Sequence, residues 1–83
     1  MYELRIPGSI RNQIKKLPEK YRLSAISALQ DIKSNPKLGK PLERELKGKF
    51  SYQFGPYRFV YKVRFKEKVV EIVKFGHRRL IYN

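Results

Sequence analysis

Apolar and polar residues alternate from the start of the chain, Tyr2-Glu3-Leu4-Arg5-Ile6, with the period of a half-buried strand. Pro7-Gly8 stops it, and Ser9 stands where an N-cap opens a short helix through Ile10, Ile14 and Leu17. Pro18-Glu19 opens a longer helix. Its Tyr21, Ala25, Ala28, Leu29 and Ile32 fall on one stripe at helical spacing, with Lys20, Ser24, Ser27, Asp31 and Lys33 turned away. Asn35-Pro36 ends it, because the residue before a proline is pushed out of helical backbone angles. Both stripes are expected to be core.

From Pro36 to Lys49 runs a linker rich in Lys, Pro and Gly, in which Leu38, Leu42 and Leu46 recur every fourth residue. These leucines are expected to pin the loop to the core. Three strand patterns follow. Phe50 to Phe54 alternates, and Gly55-Pro56 marks a turn. Tyr57 to Phe65 puts Tyr57, Phe59, Tyr61, Val63 and Phe65 on one face and Arg58, Val60, Lys62 and Arg64 on the other. Lys66-Glu67 is a tight connection to a last strand over Val69 to Phe75. The pattern predicts an α+β fold, a single domain over residues 1–83 in the order β-α-α-β-β-β. A helical hairpin packs on one face of a small, mainly antiparallel four-stranded sheet. The other face is expected to be open and basic, a floor on which an RNA strand can lie.

Charge sharpens this picture. Twenty Lys and Arg against seven Asp and Glu give a net charge of +13, and the isoelectric point is about 10.3. Such an excess calls for a polyanionic partner, nucleic acid first. An anionic membrane surface is the lesser candidate, since the apolar residues follow strand and core-helix spacing rather than one amphipathic helix. An acidic protein covering the basic face fits equally well and does not exclude nucleic acid. The chain has no cysteine, which rules out disulfides and thiolate metal sites and is compatible with a reducing cytoplasm. Its apolar runs are far too short to span a membrane, and Met1-Tyr2-Glu3-Leu4 enters a strand with no secretion signal expected. The expected location is cytoplasmic.

Few catalytic devices are available. There is no Gly-rich phosphate loop, one histidine without cysteine argues against zinc, and the carboxylates are scattered. No metal and no cofactor is therefore expected. What remains is metal-free phosphodiester chemistry, in which an RNA 2′-hydroxyl attacks the adjacent phosphorus. It needs a base, cations for the crowded phosphate and an acid for the 5′-oxygen. Arginine suits the cationic role because its planar fork grips two phosphate oxygens and stays charged. Arg58 opens the polar face of the central strand, and Arg78, Arg79 and Tyr82 follow the last one. A ring of cations lowers a phenol's pKa and so populates the phenolate that can act as a base. The same residues also have plainer readings, Arg58 as a surface ion-pair residue and Tyr82 as an anchor for the tail. His77 is either a proton donor or a strand-end histidine bonded to backbone. Lys47 and Lys49 flank Gly48 and either reach the pocket or stay solvated, while Lys62 and Arg64 extend the basic face.

These segments resemble the RelE/ParE superfamily of toxin–antitoxin toxins. The resemblance rests on Leu46-Lys47-Gly48, on Gly55-Pro56-Tyr57-Arg58-Phe59-Val60-Tyr61 and on Gly76-His77-Arg78-Arg79-Leu80-Ile81-Tyr82, and it covers nearly the whole chain. It implies a RelE-like messenger-RNA interferase, an endoribonuclease that blocks translation by cutting mRNA in the ribosomal A site without a metal. It further implies charge stabilisation by Arg58, leaving-group protonation by Arg78 and orientation or activation of the nucleophile by Tyr82, with His77 as an alternative acid. Lys47, Lys49, Lys62, Arg64 and Arg79 are expected to contact RNA. RelE toxins often carry lysines where this chain has Ser51 and Gln53, so Lys47 and Lys49 either substitute for them in space or cutting is weaker. The implied partners are the ribosome with its mRNA and a RelB-like antitoxin, whose disordered segment folds around the toxin in a hetero-oligomer. The alternative is a ParE-like toxin that inhibits DNA gyrase by protein–protein binding and cuts no RNA.

Overall fold

The strand patterns assemble into one five-stranded sheet in a computed structural model that describes residues 1–77. The elements are β1 (Glu3–Arg5), α1 (Gly8–Lys15), α2 (Glu19–Ser34), β2 (Lys40–Pro41), β3 (Lys49–Phe54), β4 (Tyr57–Arg64) and β5 (Val69–His77), with single turns of 3-10 helix at Pro36–Leu38 and Arg44–Leu46 in the linker. The spatial order is β1-β5-β4-β3-β2. β2 through β5 form an antiparallel meander, and β1 joins its far edge parallel to β5, with Leu4 opposite Val70. The predicted four-stranded sheet is thus corrected to a mixed sheet of five. The extra strand is two residues of the linker, Lys40 and Pro41, paired with Ser51 and Phe50. Two residues carry no periodicity to read, and proline is tolerated there because the strand lies at an edge.

Both helices cover one face. Ile10 and Ile14 of α1 and Ala25, Ala28, Leu29 and Ile32 of α2 are buried against Phe54, Phe59, Tyr61, Val70 and Ile72. α1 begins earlier than its Ser9 suggested: Pro7 is the capping position and Ser9 lies within the first turn. The central strand ends at Arg64 rather than Phe65, and Phe65 through Lys68 form the turn.

The linker is held differently from expectation. Leu38 is 55% exposed, while Leu42 and Leu46 are half-buried. Besides the pairing of β2 with β3, the linker is held by Tyr61, which is fully buried and donates its hydroxyl to the Pro36 carbonyl at 2.6 Å. The same oxygen accepts the Gly39 amide at 3.1 Å. A β-carbon on Gly39 would overlap that hydroxyl, so the close approach requires glycine. Burial pushes the Tyr61 phenol up to about 12, against a smaller opposing effect of the Gly39 amide.

One irregularity decides which residues face which way. Opposite Val60 and Tyr61 the partners on β5 are Lys74 and Ile72, so Val73 is an extra, bulged residue. Before the bulge Val70 and Ile72 face the helices; after it Phe75 and His77 do, paired with Phe59 and Tyr57. The ring of Phe75 accordingly stacks with Phe54 and Tyr57 at 6.1 and 5.6 Å. Lys74 and Gly76 turn to the opposite side, beside Val60 and Arg58.

Candidate active site on the open sheet face

The helix-free face is written by pairing, because directly opposed residues in an antiparallel ladder share a side. One row reads Gln53, Arg58 and Gly76; the next Ser51, Val60 and Lys74; the next Lys49, Lys62 and Glu71. β2 adds Lys40 beside Ser51, and β1 adds Arg5 beside Glu71. The expected basic face is present, with Lys40, Lys62 and Lys74 exposed on it. It is not wholly exposed, since Val60 and Ser51 are 1% and 3% accessible.

Its charges are unevenly distributed. Glu3 and Glu71 are the carboxylates on this face among the described strand residues, and both sit toward the β1 edge. Arg5 Nε contacts Glu3 Oε2 at 2.8 Å, and Arg64 Nε contacts Glu71 Oε1 at 2.7 Å. Arg64 is therefore engaged by a carboxylate, six residues along β4 from Arg58, roughly 20 Å away. Toward β2 the face holds Lys40, Lys49 and Lys62. Lys49 lies directly opposite Lys62, a like-charge pair that disfavours this part of the ladder, while Glu71 faces Lys62 from β5.

Arg58 is the most firmly held cation of the face. It is half-buried; its Nη1 donates to Ser51 Oγ at 3.0 Å and its Nη2 to Gln53 Oε1 at 2.9 Å. Gln53 in turn donates Nε2 to the Gly55 carbonyl at 3.3 Å. Gly55 holds a left-handed φ of 55° in the β3–β4 turn, where glycine carries no steric cost. Ser51 and Gln53, which the sequence offered only as missing lysines, thus contact Arg58 directly.

The remaining candidates are dispersed. Lys49 belongs to the Lys62 row, four residues from Gln53, roughly 13 Å along the strand. Lys47 is exposed in the loop before it and lines a groove of about 550 Å³ with Pro41, Leu42, Glu43, Arg44 and Gly48. Lys49 lies on the same face as Ser51, two residues before it on β3. His77 reaches the same end of the sheet as Arg58 but on the helix side, its ring edge-on to Tyr57 at 6.1 Å. Arg78, Arg79 and Tyr82 lie outside the described residues. Among the described tyrosines, Tyr52 and Tyr61 are pushed upward by burial, Tyr52 also by its 3.0 Å hydrogen bond to Asp31. Neither is poised as a phenolate. Sequence reading missed Lys40 and Lys74 as members of the basic face; the first sits in an unread strand and the second was hidden by the bulge.

Comparison with known proteins follows the same lines. The family model described as the ParE toxin of type II toxin-antitoxin system, parDE, matches residues 4–82. Toxin RelG of Mycobacterium tuberculosis is 35% identical over 83 residues, covering 98% of this chain and 95% of that protein. Toxin RelE of the same organism is 31% identical over 83 residues, covering 98% and 86%. The crystal structure of the toxin-antitoxin complex RelBE2 from M. tuberculosis contains a chain of the same fold, with a TM-score of 0.80 and 33% identity over 93% of this chain and 98% of that one. With the family match and both full-length relatives in agreement, the chain belongs to the RelE/ParE superfamily and is a RelE-like toxin of a type II toxin–antitoxin system.

Proposed function

We propose that this toxin is a ribosome-dependent, metal-independent endoribonuclease that cuts mRNA in the A site. The observation that carries the reading is Arg58, held by Ser51 and Gln53 on a sheet face that also carries Lys40, Lys49, Lys62 and Lys74. A guanidinium fixed among cations is suited to a phosphate whose negative charge grows as it is attacked. In the proposed reaction the 2′-oxygen bonds to phosphorus, the P–O5′ bond breaks, and a cyclic phosphate and a free 5′-hydroxyl result. Arg58 takes up the charge on the non-bridging oxygens. Arg78 delivers a proton to the departing 5′-oxygen, and Tyr82 orients the 2′-hydroxyl or accepts its proton. Lys47, Lys49, Lys62 and Arg79 hold the flanking RNA, and Arg64 joins them when it exchanges Glu71 for a phosphate. His77, packed on Tyr57, is the alternative acid. The work is cytoplasmic, and no helix among the described residues is long and apolar enough to cross a membrane.

A structural relative points to the partner. RelBE2 is a toxin–antitoxin complex, and this toxin is proposed to be silenced by a RelB-like antitoxin whose acidic segment covers the basic face.

Primer extension on mRNA in a translating extract tests the reading. Discrete breaks within codons are expected, and Arg58→Ala or Arg78→Ala is expected to lower cutting at least a hundredfold, the scale of one lost charge-stabilising donor. Retained cutting in both variants overturns the site. The family model's description as ParE supports a second reading, gyrase inhibition. Intact mRNA together with trapped gyrase–DNA breaks is the outcome that selects it. The full-length relatives named RelG and RelE weigh toward cleavage.

A further inference from the structure

We infer that Ser51 and Gln53 are positioning residues that form a neutral clamp, holding the Arg58 guanidinium in place for a phosphate. The inference deepens the nuclease reading and rests on it for the identity of that phosphate as RNA.

The clamp is a directed chain of hydrogen bonds. Gln53 Nε2 donates to the Gly55 carbonyl, which fixes the amide so that Oε1 is the atom turned to Arg58. Oε1 then accepts from Nη2, and Ser51 Oγ accepts from Nη1. The two bonds grip both terminal nitrogens, so the guanidinium plane cannot turn without breaking one of them. Gln53 is the direct cross-strand partner of Arg58, and Ser51 pairs with Val60, two residues along β4. Ser51 is 3% exposed and is itself locked in the sheet. The clamp is therefore built on strands rather than on a loop.

The residue types matter. A lysine at either position would repel the guanidinium and offer it no acceptor. A carboxylate would orient it but compensate its charge. Serine and glutamine accept hydrogen bonds and carry no charge, so they orient the cation without themselves compensating its charge. Holding the donor in place beforehand removes reorganisation from the moment of reaction.

The test is a titration of the full chain with inorganic phosphate, followed by nuclear magnetic resonance of the Arg58 side-chain N–H groups. In the unaltered protein the Nη protons are expected to be separately resolved and to shift with phosphate. Gln53→Ala is expected to average the Nη signals and weaken phosphate binding about tenfold, as for one lost hydrogen bond to a charged group. Gln53→Glu is expected to keep the signals resolved while still weakening phosphate. A merely structural role does not separate these two variants. Thermal melting checks that each variant is folded, and Ser51→Ala replaces Gln53→Ala if the latter is not. Unchanged Nη signals or unchanged phosphate affinity in the alanine variant overturns the clamp. The same proteins in the translating extract separate this inference from the one beneath it. If the unaltered chain cuts mRNA and Gln53→Ala cuts equally fast, the clamp falls and the nuclease stands. If the unaltered chain leaves mRNA intact while the titration behaves as expected, the clamp stands and the nuclease falls.

Discussion

Arg58 and Tyr61 lie three residues apart on β4 and point to opposite faces, and each organises its own side of the molecule. Arg58 is charged, half-buried and bonded to the neutral side chains of Ser51 and Gln53. Arg58→Lys keeps the charge and loses the fork, so cleavage is expected to fall by at least tenfold while RNA affinity changes little; a gel-shift assay run beside primer extension separates the two. Tyr61 is neutral, fully buried and bonded to the linker at Pro36 and Gly39. Tyr61→Phe leaves a carbonyl and an amide unsatisfied and is expected to cost about 1–3 kcal/mol in urea unfolding. Gly39→Ala is expected to cost a similar amount by displacing the hydroxyl. The phenol also has a pH signature. It ionises near pH 10 in the unfolded chain and at about 12 in the folded one. Its contribution is complete below pH 10 and is lost as the unfolded chain gives up the proton and the native chain keeps it. Stability is expected to fall across pH 10 to 12 by about 2 kcal/mol, a loss that Tyr61→Phe should not show in alkaline unfolding curves.

At the level of elements, the Val73 bulge is the decisive feature. Unbroken alternation from Val70 and Ile72 would turn Lys74 to the helices and Phe75 and His77 to the open face. The bulge reverses all three, so Phe75 joins the core rings and Lys74 joins the cations. Deleting Val73 is expected to destabilise the fold by about 2 kcal/mol or more, since either the Phe75 ring leaves the core or Lys74 enters it; urea unfolding measures this. The helices were legible because their apolar stripes run over successive turns, as Ala25, Ala28, Leu29 and Ile32 show. β2 was not, because two linker residues become a strand only when β3 supplies the hydrogen bonds. The spacing of Leu38, Leu42 and Leu46 misled for a related reason. Periodicity shows a surface able to be buried, and here Tyr61 and the pairing of β2 fastened the loop in their place.

For the whole molecule, the sheet separates two environments. One face packs against helices and is closed by aromatic rings; the other gathers Lys40, Lys49, Arg58, Lys62 and Lys74, with the two carboxylates of its described strand residues drawn off by Arg5 and Arg64. Binding to single-stranded RNA is expected to weaken steeply with salt. Lys49→Ala and Lys62→Ala should each reduce the slope of log affinity against log salt by about 0.7 for every phosphate the lysine neutralises, measured by fluorescence anisotropy. Lys49→Ala should also be no less stable than the parent, because the like-charge pair across β3 and β4 is removed while Lys62 keeps Glu71 opposite it on β5. An acidic partner that covers this face is expected to stabilise the toxin by about 2.7 kcal/mol at a hundredfold excess over its dissociation constant, read as a rise in melting temperature with partner concentration.

The sequence by itself determined the two amphipathic helices, the three long strands, the surplus of positive charge and the place of Arg58 on the polar face of the central strand, because each follows from local periodicity or from composition. Tertiary structure alone decided the fifth strand, the parallel seat of β1, the side on which Lys74, Phe75 and His77 emerge, and the neutral grip of Ser51 and Gln53 on Arg58. Each of these depends on pairing between distant segments, and a hydrogen bond across a sheet leaves no mark on the spacing of residues along either strand.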